Sequence, residues 1–193
     1  HPRRDAWASC GPLTPDHIIR TKHKPWVFGD LADRESLVDA LQESLNRYRG
    51  AVHASFVECA EAAGGVSEFT ELDTTPRVIW VPGIGLFGVG TSQKAARIAA
   101  DIAEHTLIGK EWSAGLGDWR GLSRQQFFAM EYWSLEQAKL GRGTPLPLQG
   151  QVAVITGGAG AIGIGVAREL VRAGALVALV DRDGEALKRA EEV

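Results

Sequence analysis

Residues 152 to 181 constrain the fold of this 193-residue chain more than any other stretch. Val152-Ala153-Val154-Ile155-Thr156 is a short apolar run of β-forming character. Gly157-Gly158-Ala159-Gly160-Ala161-Ile162-Gly163 follows at once, and Ala161 to Ala173 then carries a helical pattern. A second apolar run, Ala175 to Val180, reads as a buried strand and closes on Asp181. Strand, glycine turn, helix and strand in that order predict the start of a parallel α/β unit. Such a turn leaves backbone N–H groups free beside the positive end of a helix dipole, a place for a pyrophosphate. Asp181 lies 24 positions after Gly157, near the roughly 20 expected of an acid that hydrogen-bonds an adenosine ribose. A carboxylate there accepts from the 2′- and 3′-hydroxyls and repels a 2′-phosphate, so NAD is favoured over NADP. Arg182 beside it softens that preference, because a guanidinium pairs with phosphate. The alternative is an ordinary α/β turn whose small residues allow tight helix–strand packing, with Asp181 as a strand-end turn residue.

A second glycine string competes with the first. Gly83-Ile84-Gly85-Leu86-Phe87-Gly88 matches G-x-G-x-x-G literally, but the string alone is weak. In a dinucleotide site a helix starts at the glycines and a second strand with a terminal acid follows it. Here Leu86 to Val89 continues as an apolar run, the next helix begins near Ser92, and Glu111 to Gly117 offers no strand. Two β-rich runs around Pro82-Gly83 instead predict a hairpin.

The rest of the chain is globular in composition: 45% hydrophobic and 23% charged residues exclude disorder and leave room for a real core, with two domains. A formal net charge of −3 gives no broad basic surface, so neither nucleic acid nor an anionic membrane is an expected partner. The most apolar long window, Ala161 to Val180, is interrupted by Arg168, Glu169 and Arg172, so no spanning helix is expected. Two cysteines, Cys10 and Cys59, do not make a disulfide framework and point to a reducing cytoplasm. A start at His1-Pro2-Arg3-Arg4 without Met, and a finish at Glu191-Glu192-Val193 within a helical pattern, mark the chain as an excerpt. Val38, Leu41, Leu45, Tyr48, Val52 and Phe56 form one apolar helical stripe, with Arg34, Glu35, Glu43 and Arg47 off it. Ala95, Ala99, Ile102 and Thr106 mark a second helix capped by Thr91 or Ser92. A third opens on the capping box Ser123-Arg124-Gln125-Gln126 and runs through Phe128, Tyr132 and Leu135 towards Leu140. Gly141 to Gly150, with three glycines and two prolines, reads as an interdomain linker.

Other candidate chemistry is sparse. His1, His17, His23, His53 and His105 show neither an H-x-H pair nor an H-E-x-x-H helix, so no metal spacing is present. Thr14-Pro15-Asp16 has the form of a helix start with Thr as N-cap, and His17, Arg20 and Lys22 offer a sugar-phosphate site against the simpler reading of a solvated helix end. Trp80, Trp112, Trp119 and Trp133 could stack on a sugar, although packing is the commoner use of such rings.

Thr156 to Gly163 resembles the cofactor loop of short-chain dehydrogenases/reductases, with Ala161 in place of the usual glycine. The resemblance implies a Rossmann-type α/β fold, a doubly wound parallel sheet of which residues 151 to 193 are the first βαβ part. It also implies that the backbone from Gly157 through Gly158, Ala159, Gly160, Ala161 and Ile162 to Gly163 surrounds the pyrophosphate, that Ile162 lines the cofactor pocket, and that Asp181 holds the ribose. The family's catalytic Ser and Tyr-x-x-x-Lys are absent, since neither Tyr48 nor Tyr132 has a Lys four residues on. Upstream, Ser9-Cys10, Thr14 to Lys22, Val81 to Gly85 and Glu131 to Leu140 are similar to bifunctional class II aldolase/short-chain dehydrogenase proteins, fusions related to rhamnulose-1-phosphate aldolase. By that resemblance residues 1 to 140 are the later part of a mixed α+β aldolase-like region whose zinc ligands lie upstream of His1. The expected activity of the intact protein is NAD-dependent oxidoreduction of a small alcohol or aldehyde, with a homo-oligomer expected. The alternatives are zinc-assisted cleavage of a sugar phosphate such as rhamnulose 1-phosphate, and a non-catalytic nucleotide-binding or assembly module.

Overall fold

The computed structural model describes residues 11–29, 36–117, 119–140 and 146–191. The readings of Ser9-Cys10, Arg34-Glu35 and linker residues 141–145 lie outside the described residues. The chain forms two compact units, the first of residues 1–89 and 95–142, the second of residues 90–94 and 143–193.

The first unit is mixed α/β. A 3₁₀ turn over Pro15–His17 leads into the single helical turn α1, Ile18–Thr21. Pro15 opens it, where a missing N–H costs nothing. The Thr14 hydroxyl does not cap the backbone as expected; a side-chain hydrogen bond from Thr14 holds the Asp16 carboxyl below its ordinary pKa instead. The long helix α2, Leu37–Ala62, follows the expected stripe, with burial that deepens along it: Val38 is 69% exposed, Leu41, Leu45, Tyr48 and Val52 are half-buried, and Phe56, Cys59 and Ala60 are buried. The reason is what covers it. Phe128, Phe69, Tyr132 and Val66 pack against the Phe56 end.

Strands β1 (Trp26–Val27), β2 (Val78–Val81) and β3 (Gly85–Gly88) form one sheet in that order, with β1 parallel and β3 antiparallel to β2. The hairpin pairs Val78 with Gly88 and Val81 with Gly85, and Ile84 N–H closes the turn on Val81 C=O at 3.0 Å. The Gly83 string is therefore a hairpin, and its last glycine has a packing role. A Cβ on Gly88 would lie 1.9 Å from Ala96 C=O of helix α3 (Gln93–Ser113). Ala99 and Thr106 of α3 are buried as expected, and so is Lys110, which the apolar pattern does not show.

Helix α4, Arg124–Glu131, carries the complete capping box: Ser123 Oγ accepts from Gln126 N–H, and Gln126 Oε1 accepts from Ser123 N–H at 2.8 Å. The helix does not continue to Leu140. It stops at Glu131, and α5, Ser134–Ala138, starts afresh after an extended Trp133. Two side chains end it: the Gln137 amide takes the Glu131 carbonyl, and the Tyr132 ring stacks on Phe128 at 4.4 Å while its hydroxyl accepts from Leu72 N–H. Leu135 is 61% exposed as a result.

The second unit is one parallel crossover. Strand β4 (Val152–Thr156), helix α6 (Ala161–Arg172), strand β5 (Leu176–Val180) and helix α7 (Gly184–Glu191) follow in sequence. Val152 to Thr156 pair in register with Leu176 to Val180. The expectation of a strand buried on both faces is corrected. Ala153, Ile155, Val177 and Leu179 are half-buried, while Val152, Val154, Leu176 and Val180 are exposed. A single crossover helix covers one face of its strands, and among the described residues of this unit none covers the other.

Candidate functional site

The glycine loop between β4 and α6 is shaped by positions that exclude a side chain. Gly157 has φ +65°, the left-handed region that favours glycine. A Cβ on Gly158 would fall 2.9 Å from Ile155 C=O and from Leu179 Cβ, and one on Gly163 would fall 2.6 Å from Gly157 C=O. These two glycines bring the first turn of α6 down onto the loop. Gly160 is the N-cap and has no side chain to offer the helix. The first turn is therefore uncapped: Gly160 N–H bonds to Gly157 C=O and Ile164 N–H to Gly160 C=O, while the N–H groups of Ala161, Ile162 and Gly163 have no acceptor among the described residues. Free donors at a helix N-terminus, reinforced by the helix dipole, favour an anion. Ile162 is 85% exposed beside them.

Asp181 closes the loop from the other strand. Its Oδ2 accepts from Ala159 N–H and its Oδ1 from Asp183 N–H, both at 3.1 Å, and Gly158 N–H bonds to Val180 C=O at 3.1 Å. The N–H groups of Asp183 and Ala159 hold the Asp181 carboxyl below its ordinary pKa. The residue expected to face a ribose thus also ties the loop to the end of β5. Each carboxylate oxygen retains a lone pair for a hydroxyl. Arg182 follows it and is exposed. Asp183 caps α7, accepting from Glu185 and Ala186 N–H.

The first unit holds a different constellation. Lys22 has φ 65° and ψ 171°, a region that is essentially glycine-only and costs a non-glycine residue about 1–3 kcal/mol. It is held there by Lys22 N–H to Ile18 C=O at 2.9 Å and Thr21 Oγ1 to Lys22 C=O at 3.2 Å. Its Nζ donates to Glu131 Oε1 at 3.0 Å, and both side chains are largely buried, 10% and 15% exposed. The pair borders a cavity of about 420 Å³ that His23, Lys24, Tyr48 and Arg124 also line. Burial, then the charges of Lys24, Arg124 and Lys110, depress the His23 pKa to about 4. Burial pushes the Tyr48 phenol well above its ordinary value and Tyr132 to about 12. Of this cluster the sequence offers only Lys22 as an anion ligand, and His23 enters as one of five histidines without metal spacing; the signals for the others are the basic run to Lys24 and the Glu131-Tyr132 helix end.

Other candidates are not brought together. Trp112 and Trp133 are exposed, and no ring contact joins Trp80, Trp112, Trp119 and Trp133 among the described residues. His17 keeps its Nδ1 buried without a partner, and His53 pairs with Glu71 at 3.0 Å on the surface. No group of three His, Cys, Asp or Glu suited to a metal occurs among the described residues, and none of their helices is long and apolar enough to cross a membrane.

The chain is similar to a curated protein of Bacillus subtilis (strain 168) named Uncharacterized oxidoreductase YuxG, 27% identical over 188 residues. The match covers 95% of this chain but only 27% of that relative, so the chain spans about a quarter of its length. No solved structure matches the chain. Residues 1–140, which carry the Lys22–Glu131 cavity, match the family described as aldolase class II, second domain, and the chain belongs to that family.

Proposed function

We propose that the intact protein is an NAD-dependent oxidoreductase of the short-chain dehydrogenase type, in which the second unit is the start of the nucleotide-binding domain and the first is an aldolase-like region. The observation that carries the reading is the loop from Gly157 to Gly163: two glycines with no space for a Cβ, three unsatisfied N–H groups at the start of α6, and a carboxylate at the end of β5. These residues fit a dinucleotide. The N–H groups of Ala161 to Gly163 would take the pyrophosphate, Ile162 would lie against the cofactor, and Asp181 would accept from the ribose hydroxyls while keeping the loop closed through Ala159 N–H. The cofactor, when bound, supplies the hydride chemistry. The residues described here bind and orient it, and the negative charge of Asp181 disfavours a 2′-phosphate. The name of the Bacillus relative supports an oxidoreductase.

A second reading has its own support in the family of residues 1–140. In it the activity is a metal-assisted aldol cleavage of a sugar phosphate. The described residues do not fit a metal site, so the ligands would come from elsewhere in the intact protein and no step is derived through them.

Calorimetric titration of the full-length protein with NAD and NADP separates the two. NAD binding that is abolished in Gly157→Trp, and that loses its preference over NADP in Asp181→Asn, supports the dehydrogenase reading. Asparagine keeps one acceptor, for Ala159 N–H, while it removes the charge and puts a donor where Oδ1 accepts from Asp183 N–H. A wild-type protein that binds neither nucleotide reduces the loop to packing and leaves the aldolase reading.

A further inference from the structure

We propose that the cavity of the first unit, between residues 22–25, α2 and α4, is a binding site for a small organic oxyanion bearing a phosphate or a carboxylate. It is separate from the glycine loop and does not rest on the nucleotide reading.

Three observations converge. The first is charge. Three cations, Lys22, Lys24 and Arg124, line the cavity against one carboxylate, Glu131. Burial sorts them: Lys22 and Glu131 are 10% and 15% exposed and form the inner wall, whereas Lys24 is exposed and the Arg124 side chain is 49% exposed. Lys22 gives one of its three N–H donors to Glu131 Oε1, and Lys24 has no ion pair among the described residues. Arg124 meets Glu58 through Nη1 at 2.6 Å, which leaves most of its five donors for a second oxyanion.

The second observation is backbone geometry. Lys22 is the only non-glycine residue with positive φ among the described residues, and its own hydrogen bonds lock that conformation beside the cavity. Strained residues that the surrounding structure fixes in this way cluster at ligand sites. The third is His23. Its ring lies 4.6 Å from the Phe127 ring, and neither ring nitrogen has a hydrogen-bond partner among the described residues. Burial first, and then the charges of Lys24, Arg124 and Lys110, disfavour its protonation, in keeping with the cationic field of three lining cations against one carboxylate. At about 420 Å³ the cavity has the size of a small-molecule site. A ligand oxyanion at the Lys24–Arg124 mouth would neutralise that field, and its hydroxyls would reach the Lys22–Glu131 wall.

The test uses the full chain with inorganic phosphate, glycerate and, as the uncharged control, glycerol. Calorimetry reads binding, and proton NMR reads the titration of His23. Saturable binding of phosphate or glycerate but not glycerol is expected, together with a rise of about 1 in the His23 midpoint, because an anion favours the imidazolium. Phosphate alone identifies a phosphoryl ligand and glycerate alone a carboxylate; either result supports the site. Lys24→Gln and Arg124→Gln each weaken binding about tenfold, the loss of one charge-assisted contact. Lys22→Met would strand Glu131, so Ala51→Phe, on the exposed side of the same cavity, provides the steric variant and abolishes binding. Absence of binding by both anions, an unmoved His23 midpoint, or binding unchanged in all three variants overturns the proposal.

Discussion

The two units hold their shapes by different means. All of the described buried hydrophobic residues except Ala175 belong to the first unit, where Phe56, Phe69, Phe128 and Tyr132 close on one another. In the second, the only buried residues described are Gly158, Gly163 and Ala175. What fixes its loop is main-chain geometry: the left-handed Gly157, the two contacts that exclude a Cβ, and the Asp181 clamp. A site built this way takes its shape from local sequence, whereas the cavity of the first unit depends on the packing of α2 against α4 through aromatic side chains.

The largest effect that would sharpen the contrast is expected from Phe128→Ala. Removing a ring that is 8% exposed and stacked on Tyr132 should cost about 3–5 kcal/mol. Residue-resolved hydrogen exchange should place that loss in α2 and α4 and leave β4 and β5 unchanged. Loss of protection in β5 would show that the two units unfold as one and would break the comparison. Next in size is Gly163→Ala. Its methyl would meet Gly157 C=O at 2.6 Å and Gly158 Cα at 2.8 Å, backbone atoms that cannot swing aside. Overpacking of this kind costs about 1–3 kcal/mol, here confined to the second unit. Protection in the loop and α6 unchanged from wild type would mean that the glycine contacts do not set the loop.

A smaller effect is set by pH. The His23 pKa is depressed from 6.5 to about 4, so between those values the unfolded chain binds the proton that the folded chain refuses. Stability is therefore complete above about pH 6.5 and falls as the pH drops towards 4. The ring is partly exposed, and after discounting for solvent screening the loss amounts to about 1–2 kcal/mol. Urea midpoints of the first unit, compared at pH 7 and pH 4.5 in wild type and His23→Phe, test it: the difference should shrink in the variant. A wild-type midpoint that does not move between those pH values would place His23 in contact with solvent rather than with the cation-lined cavity.

Much of the second unit was legible because its determinants are local. The order of strand, glycines, helix and strand and the end of the strand at Asp181 follow from propensity and spacing over a few residues, as does the reading of Gly83 to Gly88 in the first unit as a hairpin. The dual role of Asp181 was not legible, since its bond to Ala159 N–H depends on how two strands pair. In the first unit the capping box at Ser123 and Gln126 could be read directly, yet the helix it opens was extended past Glu131. The stop comes from Gln137, Leu72 and the Phe128 ring, partners up to 60 positions away. Burial of Lys110 and the meeting of Lys22 with Glu131, 109 positions apart, are likewise tertiary facts that leave no local period.

The smallest effect gives the cleanest comparison, because each unit has a helix whose start is held by one side chain. Ser123 caps α4 through Gln126 N–H, and Asp183 caps α7 through Glu185 and Ala186 N–H. Replacing either by alanine removes a cap of similar strength, about 1 kcal/mol. The consequences should differ. Helix α4 presents Phe127 and Phe128 to the buried core, so Ser123→Ala should lower the urea midpoint of the whole first unit. Helix α7 has no fully buried residue among those described, so Asp183→Ala should fray α7 alone, visible as faster exchange of Leu187 N–H with the midpoint unchanged. A global shift from Asp183→Ala would show that α7 supports the glycine loop through Asp181, whose Oδ1 accepts from the Asp183 N–H. The second unit would then be held by its chain end as much as by its glycines.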